Sequence, residues 1–249
     1  MGILRLIATP IGNLDDFSPR GQRALSELDA LACEDTRVTR RLFERFGLEA
    51  PRTIFSYHEH NEHQAGRRIA GLLDEGLRVG ICSDGGYPGI SDPGYRALSE
   101  AVEAGHEIEV IPGPSAVPVA LLLSGLPTSS YTFKGFAPRK SGQRQRFFAE
   151  DAAAPHTMVV FESPYRVGKL LADALVALGD RRAAVCCELT KKFERADRGF
   201  LSELAAKYRD AKVKGEVTIV IAGNHPKFAR DYEPGDGPVV DTDDEGDED

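Results

Sequence analysis

The sequence predicts an α/β protein of two domains, each a mixed sheet flanked by helices. Three observations carry that expectation. Short apolar runs alternate along the chain with amphipathic segments of helical period. The alternation restarts with a more basic character after Leu126-Pro127-Thr128, which places a boundary there and divides the chain into 1–125 and 126–224. The 249 residues also suit one large domain or two small ones at roughly 150 residues each.

The elements follow in order. Ile3–Ala8 reads as an apolar strand. Ser18-Pro19 opens a helix running to Leu28, with Ser as N-cap and Pro at the first helical position. Ala30–Cys33 is a strand, Arg37–Phe46 a helix closed by Gly47, and Thr53–Ser56 a third strand. Glu62–Glu75 is amphipathic, with Asn61 placed to cap it and Ile69, Leu72 and Leu73 on one face. Leu77–Cys82 is a strand, Tyr95–Ala104 a helix, Glu107–Ile111 a strand, and a helix reaches Ser124. The second half reads Tyr131–Phe136 strand, Ser141–Glu150 helix, Thr157–Glu162 strand, Pro164–Leu178 helix and Ala183–Leu189 strand. Leu201–Arg209 helix and Glu216–Ala222 strand complete it. From 225 to 249 the chain is polar and acidic with almost no apolar pattern, and it is expected to be disordered.

Composition narrows the class. Hydrophobic residues make up 41%, so the body is globular. The longest apolar run, Val117–Leu123, is far short of a membrane span. The opening Met1-Gly2-Ile3-Leu4-Arg5 lacks the pattern of a signal peptide. Cys33, Cys82, Cys186 and Cys187 form no C-x-x-C pair and read as reduced core thiols, so a cytoplasmic protein is expected. The net charge of −8 comes from the end of the chain: 231–249 holds ten acidic residues and no basic ones, which leaves the remainder at +2. A near-neutral body does not exclude a nucleic-acid partner, because local charge decides.

Common signatures are absent: there is no G-x-G-x-x-G after a strand, no G-x-x-x-x-G-K-[ST] and no G-x-S-x-G. His58-Glu59-His60-Asn61-Glu62-His63 has a metal-binding composition, but Glu62 stands where H-E-x-x-H needs its second His, so no metal is expected. The informative segments are Thr9-Pro10-Ile11-Gly12-Asn13, Ser83-Asp84-Gly85-Gly86-Tyr87-Pro88 and Pro112-Gly113-Pro114-Ser115-Ala116. Each follows a strand. Any one of them reads as a tight turn; three together point to a shared ligand pocket, since α/β sheets bind ligands at the carboxyl ends of strands.

These loops belong to a longer series. Ala8-Thr9-Pro10-Ile11-Gly12-Asn13-Leu14, Glu34-Asp35-Thr36-Arg37, Ser56-Tyr57-His58-Glu59-His60-Asn61-Glu62, Ile90-Ser91-Asp92-Pro93-Gly94 and Pro112-Gly113-Pro114-Ser115-Ala116 occur in order. Gly125-Leu126-Pro127-Thr128, Phe161-Glu162-Ser163-Pro164 and Glu188-Leu189-Thr190-Lys191 continue it. Over roughly 3–223 the chain resembles the RsmI family, which has the tetrapyrrole-methylase fold. The family transfers a methyl group from S-adenosylmethionine to the ribose 2′-hydroxyl of a cytidine in the decoding centre of 16S ribosomal RNA. The resemblance implies a cofactor cleft between two α/β domains. It carries cofactor contacts onto Pro10, Ile11, Asp84, Gly85, Tyr87, Pro88, Ser115 and Ala116, with Glu162 and Leu189 from the second domain. It implies 16S ribosomal RNA or the 30S subunit as partner, no DNA, no membrane and a homodimer. Tyr87 stands where the family has a small hydroxyl residue, Gly89 where it has a large apolar one, and Tyr165 where His is usual.

A ribose hydroxyl attacks only if its proton is drawn away or its developing charge is stabilised. Glu34, Asp35, His58 and Glu59 are the first candidates for that role, with Asp92, Glu188 and Lys191 behind them. Three basic groups suit RNA: Arg37, Arg40 and Arg41; Lys134, Arg139, Lys140, Arg144 and Arg146 near Tyr131, Phe133 and Phe136; and Lys191, Lys192, Arg195 and Arg198. Two other readings remain at this point: a methylase of small tetrapyrroles, and a non-catalytic S-adenosylmethionine-binding module.

Overall fold

The computed structural model describes residues 1–230, which divide into two units. The first holds Met1–Leu123 and, returning late in the chain, Cys186–Arg195. The second holds Ser124–Val185 and the chain from Ala196 onward.

The first unit is built on five strands: β1 (Ile3–Ile7), β2 (Ala30–Cys33), β3 (Thr53–Ser56), β4 (Arg78–Cys82) and β5 (Glu107–Ile111). Their order is β3-β2-β4-β1-β5, and every pairing is parallel. Parallel neighbours need crossovers, and helices supply them: α1 (Pro19–Ser26), α2 (Thr36–Phe46), α3 (Glu62–Asp74), α4 (Tyr95–Glu103) and α5 (Ala116–Ser124). Leu25, Leu42 and Phe43 of α1 and α2 bury against Ile7, Leu31 and Cys33. On the other core, Ala65, Ile69 and Leu73 of α3 and Ala97 and Ala101 of α4 pack on Leu4, Leu6, Val79 and Ile81. Each fully buried Leu or Ile contributes about 1.5–3 kcal/mol, which is why central strands read as continuous apolar runs.

Local signals set the ends of these helices. The Ser18 side chain accepts from the Gly21 N–H at 3.0 Å, and Asp35 caps α2 by accepting from the Arg37 N–H at 2.8 Å. Gly47, at φ 61°, ends α2 in the left-handed region. Asn61 departs from expectation. It precedes α3, but its side chain accepts from the His58 N–H and donates to the Ser56 carbonyl, tying down the end of β3 instead of capping the helix.

The second sheet orders β6 (Tyr131–Phe136), β7 (Thr157–Glu162), β10 (Val217–Ile221), β8 (Arg182–Cys187) and β9 (Arg195–Phe200). β6 and β7 run parallel, β7 and β10 antiparallel. α6 (Ser141–Ala149) and α8 (Leu201–Tyr208) both pack on α7 (Val167–Leu178).

Three readings are corrected in this half. Strand β9 was not anticipated, because Arg-Ala-Asp-Arg-Gly-Phe is too polar to register as an apolar run; it lies at a sheet edge, where such residues are tolerated. β8 stops at Cys187 and not at Leu189, because Glu188 turns to φ 52°. The expected disorder from 225 also includes folded residues: Pro226–Phe228 forms a 3₁₀ turn, Ala229 bridges to Arg181, and Arg230 pairs with Asp180 and Glu203. The remainder of that expectation, 231–249, lies outside the described residues.

A buried ion pair fastens α6 to α7. Arg144 is 3% exposed and donates from Nε to Asp173 Oδ2 at 2.8 Å; Ser141 and Gln145 donate to Oδ1 at 2.7 and 2.8 Å. Burial pushes the Asp173 carboxyl up, but the bonds from Gln145, Ser141 and Arg144 outweigh it and hold it below its ordinary value. A depressed acid stabilises the fold above its unfolded pKa, and the contribution is lost as pH falls through the folded value. Asp173→Ala is expected to cost about 3–5 kcal/mol in urea unfolding near neutral pH. A loss under 1 kcal/mol, or one that persists unchanged in acid, contradicts this account of the pair.

Candidate active site

All five parallel strands of the first unit point their carboxyl ends the same way, so the loops after β1, β2, β3, β4 and β5 gather on one side of the sheet. The loops after β1 and β4 are clasped. The Thr9 N–H donates to the Gly86 carbonyl and the Gly86 N–H to the Thr9 carbonyl, each at 3.0 Å. Thr9 Oγ1 donates to the Ser83 carbonyl at 3.0 Å, and Ser83 Oγ to the Gly86 carbonyl at 3.3 Å. Thr9 and Ser83 are both buried. The β5 loop joins through Tyr87, whose hydroxyl accepts from the Gly113 N–H at 3.1 Å.

The glycines serve this loop-to-loop packing. A Cβ on Gly85 would come within 3.3 Å of the Pro10 carbonyl, and one on Gly113 within 3.0 Å of the Ala8 Cβ. Gly86 has φ +86°, where a side chain is strained. These glycines bring the loops close to one another.

The returning segment 186–195 adds a fourth wall. The Asn13 N–H donates to Thr190 Oγ1 at 3.0 Å, and a Cβ on Gly12 would lie 2.4 Å from Lys191 Cγ and 2.9 Å from the Leu189 carbonyl. Leu189, expected from the second domain, instead belongs to the first unit and is buried here, beside the loop of Pro10 and Ile11. Glu188 and Thr190 hold φ of 52° and 64°, and a β-branched residue there is strained. Ser91, at φ 61°, is the third non-glycine residue with positive φ among those described. Such strain gathers at functional sites.

The predicted residues fall into two sets. Gly85, Gly86 and Tyr87 turn toward the β1 and β5 loops. Asp84 turns the other way: its Oδ1 accepts from the Asp35 N–H at 3.2 Å, and its own N–H donates to Glu34 Oε2 at 3.3 Å. Asp84 thus belongs with Glu34 and Asp35, not with the loop residues that follow it. Burial and the Glu34 charge push the Asp84 carboxyl up. Asp35 is held well below its ordinary value by the Arg37 side chain and N–H, and both its oxygens are engaged. It is a helix cap whose oxygens are held by Arg37. Glu34 Oε1 makes no hydrogen bond among the described residues.

His58 and Glu59 follow β3, whose Ser56 pairs with Cys33 immediately before Glu34. His58 Nδ1 is buried without a partner, and Glu59 is exposed. Neither bonds to Glu34, Asp35 or Asp84 among the described residues. Ser115 and Ala116 sit at the start of α5, half-buried, where helix N–H groups are available. Glu162 ends β7 in the second unit. Its Oε1 pairs with Arg166 and accepts from the Ser163 N–H, Oε2 has no partner, and burial pushes the carboxyl up.

Of the basic residues, Arg37, Arg40 and Arg41 are exposed on α2, as are Arg139, Lys140 and Arg146 in the second unit. Two expectations fail: Arg144 is consumed by Asp173, and Lys134 by Asp151, Glu150 and the Phe147 carbonyl. Among the described residues no cluster of His, Cys, Asp and Glu could hold a metal ion, and no helix is long and apolar enough to cross a membrane. All four cysteines are buried, and none is in a disulfide.

Sequence reasoning missed one feature. A cavity of about 250 Å³ lies beside the clasp, lined by Thr9, Pro10, Leu14, Val38, Thr39, Arg41, Leu42, Ser83 and Asp84. The signal was present, since Val38, Arg41 and Leu42 share one face of α2 at i, i+3 and i+4.

On the β1–β5 side, the start of α5 is half-buried with helix N–H groups of the kind that meet a carboxylate, and Ile11 and Pro114 are half-buried and apolar.

Comparison with known proteins agrees with this architecture. The family model for Tetrapyrrole (Corrin/Porphyrin) Methylases matches residues 4–205. Ribosomal RNA small subunit methyltransferase I of Halalkalibacterium halodurans is 42% identical over 226 residues, covering 91% of this chain and 78% of that protein. The protein of the same name from Mesorhizobium japonicum is 44% identical over 235 residues, covering 94% and 78%. Among solved structures, uroporphyrin III C-methyl transferase from Thermus thermophilus superposes with a TM-score of 0.63 at 18% identity, over 89% of this chain and 97% of that one. A cobalt precorrin-4 methyltransferase does so at 0.60 and 15%, over 88% and 94%. At such identities these two structures speak to fold alone.

The raised Asp84 carboxyl makes a stability prediction. Its folded pKa lies above the unfolded value, so stability falls as pH rises through that window and the cost persists at neutral pH. Asp84→Asn is expected to raise the thermal midpoint near neutral pH, with the gain vanishing below the ordinary aspartate value of 3.8. A neutral-pH loss of stability would contradict the cost of burying Asp84 beside Glu34.

Proposed function

Because the chain belongs to the tetrapyrrole methylase family and, within it, to the ribosomal RNA small subunit methyltransferase I group, we propose that it uses S-adenosylmethionine to methylate the ribose 2′-hydroxyl of a cytidine in 16S ribosomal RNA. The observation that carries this reading is identity above 40% sustained over nine-tenths of the chain with proteins named for that RNA. The 30S subunit is the working substrate, and a homodimer in the cytoplasm belongs to the same reading.

The residues divide the work. Pro10, Ile11, Gly85, Tyr87, Pro88, Ser115, Ala116 and Leu189 hold the cofactor through loops fixed before binding, so little ordering is left to do when it arrives. The cofactor supplies an electrophilic methyl group. Glu34, with one oxygen free, takes the hydroxyl proton. Asp35 positions α2 and, through its N–H, Asp84. Arg37, Arg40 and Arg41 carry charge for phosphates.

Methyl-labelled S-adenosylmethionine and 30S subunits lacking the modification test this, followed by alkaline hydrolysis of the RNA. A 2′-O-methyl group removes the hydroxyl that attacks the neighbouring phosphate, so label is expected in an uncut dinucleotide with cytidine on its 5′ side. Label on mononucleotides would mean base methylation and would overturn the assignment. Glu34→Gln is expected to lower kcat by about 10²–10⁴ while leaving cofactor affinity intact.

A further inference from the structure

The cavity against α2 has no occupant in the account above, although Pro10 and Arg41 of its walls have roles there. Its walls are unlike one another. Pro10, Val38 and Leu42 are apolar, Asp84 and Arg41 are charged, and the floor is the buried, bonded pair Thr9 and Ser83. At about 250 Å³ it falls just below the ~300–1,000 Å³ of pockets that enclose drug-sized molecules, so it suits one flat ring.

Its polar groups are held yet incompletely used. Asp84 Oδ1 is anchored by the Asp35 N–H, while Oδ2 makes no hydrogen bond among the described residues. Arg41 is exposed and makes no ion pair among the described residues. A fixed carboxylate oxygen at the rim of an apolar slot accepts from an exocyclic amine, and a free guanidinium beside it meets a phosphate. Both belong to a cytidine nucleotide. RNA is read by sequence chiefly where its nucleotides are unstacked, and a displaced base needs apolar surface to replace the stacking it loses.

We propose that this cavity receives the base of the nucleotide being methylated, with Asp84 accepting from the cytosine amine and Arg41 at the adjoining phosphate. The proposal rests on the ribose-methylation reading. It makes Asp84 a specificity residue, with Val38 and Leu42 as the walls of the slot. It also gives Asp84 a use for the neutral-pH cost of standing beside Glu34: the carboxylate is kept where an amine can satisfy it.

Two variants of the full chain test this. Val38 is 40% exposed on α2, so Val38→Trp can fill the slot without disturbing the core. It is expected to raise KM for 30S subunits about tenfold or more while S-adenosylmethionine affinity, read by calorimetry, stays at the wild-type value. Unchanged KM and kcat would show the slot to be unused. Lost cofactor affinity would assign it to the cofactor. Either overturns the proposal.

Asp84→Asn presents an amide that can donate to the O4 of uracil. On 30S subunits whose target cytidine is replaced by uridine, the variant is expected to narrow the wild-type preference for cytidine about tenfold or more. An equal loss on both substrates would show that Asp84 does not read the base. Failure of the underlying function shows itself separately: wild-type protein would leave the ribose of the unaltered 30S unlabelled, and the cavity would lose its occupant with it.

Discussion

The reciprocal pair of backbone hydrogen bonds between Thr9 and Gly86 is the constraint on which the site depends. It joins two loops whose strands, β1 and β4, are already neighbours, and so extends the sheet by one antiparallel bridge past the end of a parallel ladder. Each such bond contributes about 0.5–1.5 kcal/mol net, but leaving either buried group unpaired costs more. Thr9 Oγ1 and Ser83 Oγ donate to the Ser83 and Gly86 carbonyls, so two side-chain bonds reinforce the clasp. Gly86 is required because the bridge places it at φ +86°.

From that clasp the two faces of the site follow. Residues after Gly86 are carried toward β5, where the Tyr87 hydroxyl takes the Gly113 N–H. The residue before Gly85 is left facing β2, where Asp84 meets the backbone of Asp35 and the carboxylate of Glu34. One loop thereby serves a cofactor side and an acceptor side. Burial of Asp84 and its repulsion by Glu34 cost stability at neutral pH, as is common where charge is gathered for chemistry.

Much of the fold was legible because its strands are short runs set off by turns and caps. Ala30–Cys33 and Thr157–Glu162 are central and buried on both faces, the edge strands Thr53–Ser56, Glu107–Ile111 and Tyr131–Phe136 keep enough apolar residues to read as strands, and Ser18-Pro19 and Gly47 mark helix ends. What escaped had no local signature. The polar edge strand Arg195–Phe200 is held by its neighbour in the sheet and not by its own pattern. Asn61 had two uses for its side chain, and only the turn after β3 decided between them. Arg144 looked like any other basic residue until its burial against Asp173 was seen. In the site, motif order located the loops, but the division of Asp84 from the residues after it, and the cavity against α2, arise from packing between segments far apart in sequence.

The central claim is that these loops are fixed before any ligand arrives, and native-state amide hydrogen exchange of the ligand-free protein tests it most directly. The Thr9 and Gly86 amides are predicted to exchange as slowly as that of Leu6 within β1. The Gly113 amide is predicted to be protected in the wild type and to lose protection in Tyr87→Phe. Exchange of Thr9 and Gly86 at the rate of an open peptide would contradict the account, because the clasp would then form only on binding.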